Sequence, residues 1–156
     1  MDAIRPEDPT DPHRTILGTA GWVLAALAVL AGGLLHLKIW NSDYRDLPKE
    51  VPGWWVVKVG FPVNAASSVV IALALALVAF GAVVALRRFI VPAALALEVG
   101  SIAALVQSRR GTIFRWSEKG WTTNAKQVLI VEIVGTVLLV IAAMLPAYLK
   151  RRAESV

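Results

Sequence analysis

Four apolar runs, at positions 15–37, 61–86, 89–106 and 128–149, leave this chain little choice of fold. A bilayer core about 30 Å thick is crossed by roughly 20 helical residues at 1.5 Å each, and every run approaches or exceeds that length. The third is the shortest and carries Glu98, but Arg87-Arg88 and Arg109-Arg110 mark its ends as charged stops. A 156-residue chain that is 57% hydrophobic holds more apolar surface than one soluble core hides. The predicted fold is an all-α membrane protein: a four-transmembrane-helix bundle over 15–149, with two long Trp-rich loops on one side.

The segments outside the runs follow from composition. The stretch 1–14, MDAIRPEDPTDPHR, has too little apolar surface to offset the entropy of ordering and is expected to be a disordered cytoplasmic tail. The first apolar run is about twice a signal-peptide core and lacks a small-x-small cleavage site, so it is expected to remain as a span. Residues 150–156 read as a basic cytoplasmic tail. With four spans, both termini and the turn at Arg87-Arg88 share one side. The basic residues there sit tight against span ends, whereas those opposite are spread over two loops. This predicts a multi-pass membrane protein with both termini in the cytoplasm.

The net charge of +5 does not imply nucleic acid, because the basic residues flank apolar segments and do not share a polar face. Lipid headgroups are the simpler partner. The absence of cysteine excludes disulfides, thiolate metal sites and covalently attached haem. Trp40, Trp54, Trp55, Trp116 and Trp121 all fall in the two long loops. Indole settles at headgroup depth, so these loops read first as interfacial anchors and second as a cap over a pocket.

Ionisable side chains inside a span are costly and are functional candidates by default. There are three: His36 near the loop end of span one, Glu98 in the middle of span three, and Glu132 about one and a half turns into span four. Ala28, Gly32 and His36 share one helical stripe, Glu98 shares another with Ser101, Leu105 and Ser108, and Glu132 continues toward Gly135 and Thr136. Asn64, with Ser67 and Ser68, and Gln107 add polar groups at shallow depth. These stripes predict one polar patch below the long loops, in which His36 and Arg45 face Glu132 with Glu98 a turn or two deeper. The turn SDYRDLP has a plainer alternative, in which Arg45 pairs with Asp43 and Asp46 and the turn closes on itself.

The stretches HLKIWNSDYRDLP in the first half, and SEKGW followed by VLIVE in the second, resemble a family of small uncharacterised four-span membrane proteins of actinobacteria. The likeness runs from about Gly32 to Glu132 and departs from the family pattern at KEVPGWWVVK. It implies the topology and the choice of His36, Arg45 and Glu132, and it implies no chemistry.

No nucleotide-binding loop, HExxH or GxSxG occurs, so the chain does not read as an enzyme. It reads first as a non-enzymatic accessory or assembly subunit of a membrane complex, as a homo-oligomer or within a larger assembly, with no cofactor. The alternative is a proton- or cation-binding transporter or channel element, or a protein holding a divalent metal ion on His36, Glu98 and Glu132. Whether Glu98 faces His36 and Glu132, or lipid and another chain, separates the two.

Overall fold

A computed structural model describes residues 12–155; of the tail expected at 1–14, residues 1–11 lie outside the described residues. The chain is an all-α four-helix membrane bundle. Its helices are α1 (Pro12–Ile39), α2 (Trp54–Ala79), α3 (Arg87–Arg110) and α4 (Thr123–Glu154), and each is long enough and apolar enough to cross a membrane. Consecutive helices pack antiparallel in a ring, with α1 against α2 and α4, and α3 closing the ring on the far side. The outer faces carry exposed large aliphatics such as Leu73, Val70 and Ile130, as a lipid-facing surface requires.

Several boundaries differ from the hydropathy reading, each for a local reason. α1 starts at Pro12 and not at Thr15, since proline's fixed φ and missing N–H suit the first helical position. Past residue 37 the same helix continues to Ile39 and then widens into a π-helical turn, Trp40–Tyr44, so His36 lies about two turns below Tyr44. α2 begins at Trp54 and not at Phe61, and it tolerates Pro62 inside the helix. It ends at Ala79 and not at Leu86, because Gly81 adopts a φ of 78°. The bonds from Gly81 N–H to Val78 O (3.1 Å) and from Ala82 N–H to Leu77 O (2.9 Å) close a Schellman motif there. Arg87-Arg88 therefore opens α3 and does not form the turn. α3 runs on to Arg110, and α4 starts at Thr123, where the Thr122 hydroxyl accepts from Ala125 N–H at 3.2 Å, and continues through 150–152 to Glu154.

Two apolar clusters stack along the bundle axis. On the terminus side, Trp22, Val29, Leu75, Val78, Leu139 and Ala142 pack together. Arg87 covers this end, stacked 4.6 Å from the Trp22 ring and donating to Ala143 O at 2.9 Å. On the loop side, Ile39, Tyr44, Val57, Trp116 and Val128 form a second cluster. A layer of buried polar side chains separates them.

The two long connections fold onto the bundle and onto each other. Gly53 has a φ of 74°, and a Cβ there would overlap the backbone of Trp116. Gly53→Ala is expected to cost roughly 2 kcal/mol, combining the left-handed penalty with that overlap. Gly81→Ala, in open space at φ 78°, is expected to cost about 1 kcal/mol. Denaturation in mixed micelles would rank the two. In the second connection, Ile113 and Trp116 exchange two backbone hydrogen bonds of 2.8 Å around Phe114 (φ 47°) and Arg115 (φ 71°). This is the geometry of a type I′ hairpin, which favours glycine at its second central position. Arg115→Gly is expected to stabilise the protein by about 0.5–1 kcal/mol, leaving Phe114 stacked on Trp55 (centroids 5.4 Å). The same denaturation assay reads it as a rise in midpoint.

Candidate functional site

The buried polar layer draws on all four helices. His36 of α1 directs Nδ1 toward the Gly32 carbonyl at 3.0 Å and toward Glu132 Oε1 of α4 at 3.5 Å. The Glu132 carboxyl in turn meets the carboxyl of Glu98 and the hydroxyl of Ser101, both on α3. Asn64 of α2 donates to Ser101 Oγ at 2.5 Å and accepts from Ser68 Oγ at 3.4 Å. Glu98 and Glu132 are 1% and 2% exposed, so neither carboxyl touches the surrounding solvent.

Small residues make the convergence sterically feasible. Gly32 leaves 3.7 Å between a hypothetical Cβ and Glu132 Oε1, and a Cβ on Gly33 would overlap Ser68. Gly135 is tighter still, since any side chain there would overlap the Glu98 carboxyl. Helix spacing puts Gly32 on the face of His36 and Gly135 on the face of Glu132, and each of the three glycines opens its face to a polar side chain of a neighbouring helix.

The tautomer of His36 follows from its neighbour. The Gly32 carbonyl only accepts, so Nδ1 carries the hydrogen, and in the neutral ring Nε2 keeps a lone pair. Phe61 packs against the ring at 5.1 Å between centroids.

Above this layer lies a cavity of about 180 Å³. His36, Asn64 and Ser101 line its inner part. Tyr44, Phe61 and Trp116 give it aromatic walls, and Arg109 and Glu118 face it from the loop side. Glu118 joins the two loops: its Oε2 accepts from Tyr44 O–H at 2.6 Å and from Arg109 Nη2 at 3.0 Å, while its backbone N–H donates to Ser108 O at 3.0 Å. Asn124 of α4 adds a bond to Asp43 at 2.9 Å.

No family model, no curated protein and no solved structure matches this chain.

Of the residues singled out from the sequence, His36, Glu98, Glu132 and Asn64 meet in the polar layer. Arg45 does not, which corrects the expectation that it faces Glu132: it is exposed and donates to Asn41 Oδ1 at 3.2 Å. The helix continues past residue 37, which lifts Arg45 away from His36 and turns it outward. Gln107 is also outside the layer, exposed and donating to Thr112 O at 3.4 Å. Nor does the SDYRDLP turn close on itself, since Asp43 is engaged by Asn124 and Arg45 by Asn41. Among the described residues, no three His, Asp or Glu side chains converge in a metal-holding geometry. Tyr44, Arg109 and Glu118 were missed as cavity residues. Glu118 lies inside the quoted SEKGW and Tyr44 inside SDYRDLP, but only the fold reveals that they bond to one another. Trp116 is buried and lines the cavity, so this indole is part of a cap over it.

Proposed function

We propose that this small membrane protein binds and exchanges protons at the Glu98–Glu132 pair, as an element of a proton- or cation-coupled transporter or channel. One observation carries the reading: two carboxyls touch inside an apolar bundle, with an imidazole beside them. Two carboxylates in contact in a low-dielectric site do not both ionise, so the pair shares a proton that it can give up or replace. His36 offers a compensating charge when protonated and a path toward the cavity when neutral. Access comes from the loop side. The cavity reaches the layer from the loop side, while the cluster around Trp22, Leu75 and Leu139 fills the bundle on the terminus side.

The test is infrared titration of the protein in mild detergent. A protonated-carboxyl band that titrates in the wild type should be lost or shifted in Glu98→Gln and in Glu132→Gln. A band untouched by both substitutions, or none at all, overturns the reading. Metal analysis of the same sample tests the divalent-cation variant, with His36, Glu98 and Glu132 as the ligands.

A second reading, the accessory or assembly subunit, is favoured by α3. Only 11% of its apolar window is buried within the chain, against 28–39% for the other three helices. Its exposed residues include Ala93, Ala96, Gly100 and Ala103, which allow close helix approach. A particle mass in detergent well above the 16.8 kDa of one chain would support an oligomer or a larger complex. For orientation in a bacterial cell membrane we place both termini in the cytoplasm. Single cysteines at Ser42, Ser117 and Ser155 probed with an impermeant thiol reagent test this, and labelling of Ser155→Cys alone in intact cells would reverse it.

A further inference from the structure

We infer that the cavity above the polar layer is a binding site for one neutral, ring-sized molecule bearing a hydroxyl group, taken up from the bilayer. The inference rests on the cavity's walls and on the His36 tautomer, and is independent of proton exchange at the carboxyl pair.

Size sets the first limit. A cavity of about 180 Å³ exceeds the roughly 150 Å³ that suffices for benzene, and its aromatic walls of Tyr44, Phe61 and Trp116 suit a flat apolar body. One polar group on the wall then defines the occupant's chemistry. With its hydrogen committed to Gly32 O, neutral His36 presents a lone pair at Nε2 and calls for a donor, hence a hydroxyl.

Charge sets the next limit. The Arg109 guanidinium is matched by the Glu118 carboxylate at 3.0 Å, and Asp43 also lines the cavity. The surroundings offer an anion no uncompensated positive charge, so a neutral molecule is favoured over a carboxylate or phosphate.

The route follows from Gly60. This residue lines the cavity and is itself exposed, between the outward-facing Val59 and Val63 of α2, just as Asp43 and Thr122 line it and are exposed on the loop side, so the cavity has one edge at the outer face of α2 and another at the loops. The edge at Gly60 lies on the lipid-facing surface. A molecule concentrated in the bilayer enters directly from it.

The probe is 4-methoxyphenol, a neutral ring with a hydroxyl at one end and an ether oxygen at the other, titrated onto the full chain in detergent micelles by ligand-observed NMR against empty micelles. Saturable binding of one molecule per chain is expected. 1,4-Dimethoxybenzene, which lacks the donor, should bind at least tenfold more weakly, and benzoate should not bind. Gly60→Leu should block that edge without disturbing the fold, since a Cβ there meets nothing within 4 Å. Ala104→Phe should fill the cavity from α3. Each should weaken 4-methoxyphenol at least tenfold while the thermal midpoint stays near that of the wild type. Non-saturable uptake, equal affinity for the dimethoxy compound, binding of benzoate, or unchanged affinity in both variants would overturn the proposal. Glu98→Gln separates the two readings, because it should alter the carboxyl band and leave 4-methoxyphenol binding within twofold.

Discussion

Glu118→Ala is expected to cost the bundle about 3–5 kcal/mol, a larger loss than for other single substitutions in the loops. The reason is what the truncation leaves behind. The Arg109 side chain is 5% exposed and its Nη2 reaches Glu118 Oε2 at 3.0 Å; the Tyr44 hydroxyl donates to the same oxygen at 2.6 Å. Without the carboxylate, a guanidinium stays in a mostly dry site with no counter-charge and a phenol with no acceptor. Breaking one side of a buried pair is costly for that reason, whereas replacing both partners by apolar groups of similar volume is often close to neutral. Glu118 is itself 28% exposed, which moderates its own desolvation and leaves Arg109 as the dominant loss. The double substitution Arg109→Met/Glu118→Met should therefore recover most of the stability lost in Glu118→Ala. Denaturation in mixed micelles reads both, and a double variant no better than the single would show that the guanidinium is not held by Glu118.

The architecture was legible wherever bilayer thickness dictates it, and much less so wherever a local backbone device intervenes. Four apolar runs bounded by arginines leave no fold but four spanning helices. Likewise, the i, i+4 relation of Gly32 with His36 and the i, i+3 relation of Glu132 with Gly135 mark inward faces from spacing alone. The end of α2 could not be read this way. The run VAFGAVVAL is apolar throughout, and hydropathy is blind to the left-handed Gly81 that closes the helix within it. Its start was hidden by Lys58 and Pro62, which resemble a boundary in water and are tolerated inside a membrane helix. Arg45 was misplaced because Asn41, Ser42 and Asp43 look like a turn, whereas the backbone stays helical through Tyr44 by widening to π geometry. Tyr44 and Glu118 are 74 positions apart, and no periodicity links residues on two different loops.

Replacing both buried carboxyls, Glu98→Leu/Glu132→Leu, is expected to make the protein more stable than the wild type by about 1–4 kcal/mol while abolishing the titrating carboxyl band. Each carboxyl is desolvated between the two apolar clusters, and the hydrogen bonds that compensate it are worth only about 0.6–2 kcal/mol apiece in a bundle of this kind. Leucine fills a comparable volume without that desolvation. The single substitution Glu132→Leu should behave oppositely. Glu132 is the member that touches His36, Glu98 and Ser101 together, and its loss leaves Glu98 without its carboxyl partner beside Gly135 and His36 without its neighbour at 3.5 Å. A cost of about 2–4 kcal/mol follows from stranding buried polar groups. Denaturation midpoints of wild type, both singles and the double variant form one cycle. A double variant less stable than either single would mean the carboxyls act as interhelical fasteners, and the layer would then be explained by packing without any exchange of protons. A double variant above the wild type would mean that the chain retains this layer at a cost to its own stability, the pattern of a site kept for what it binds.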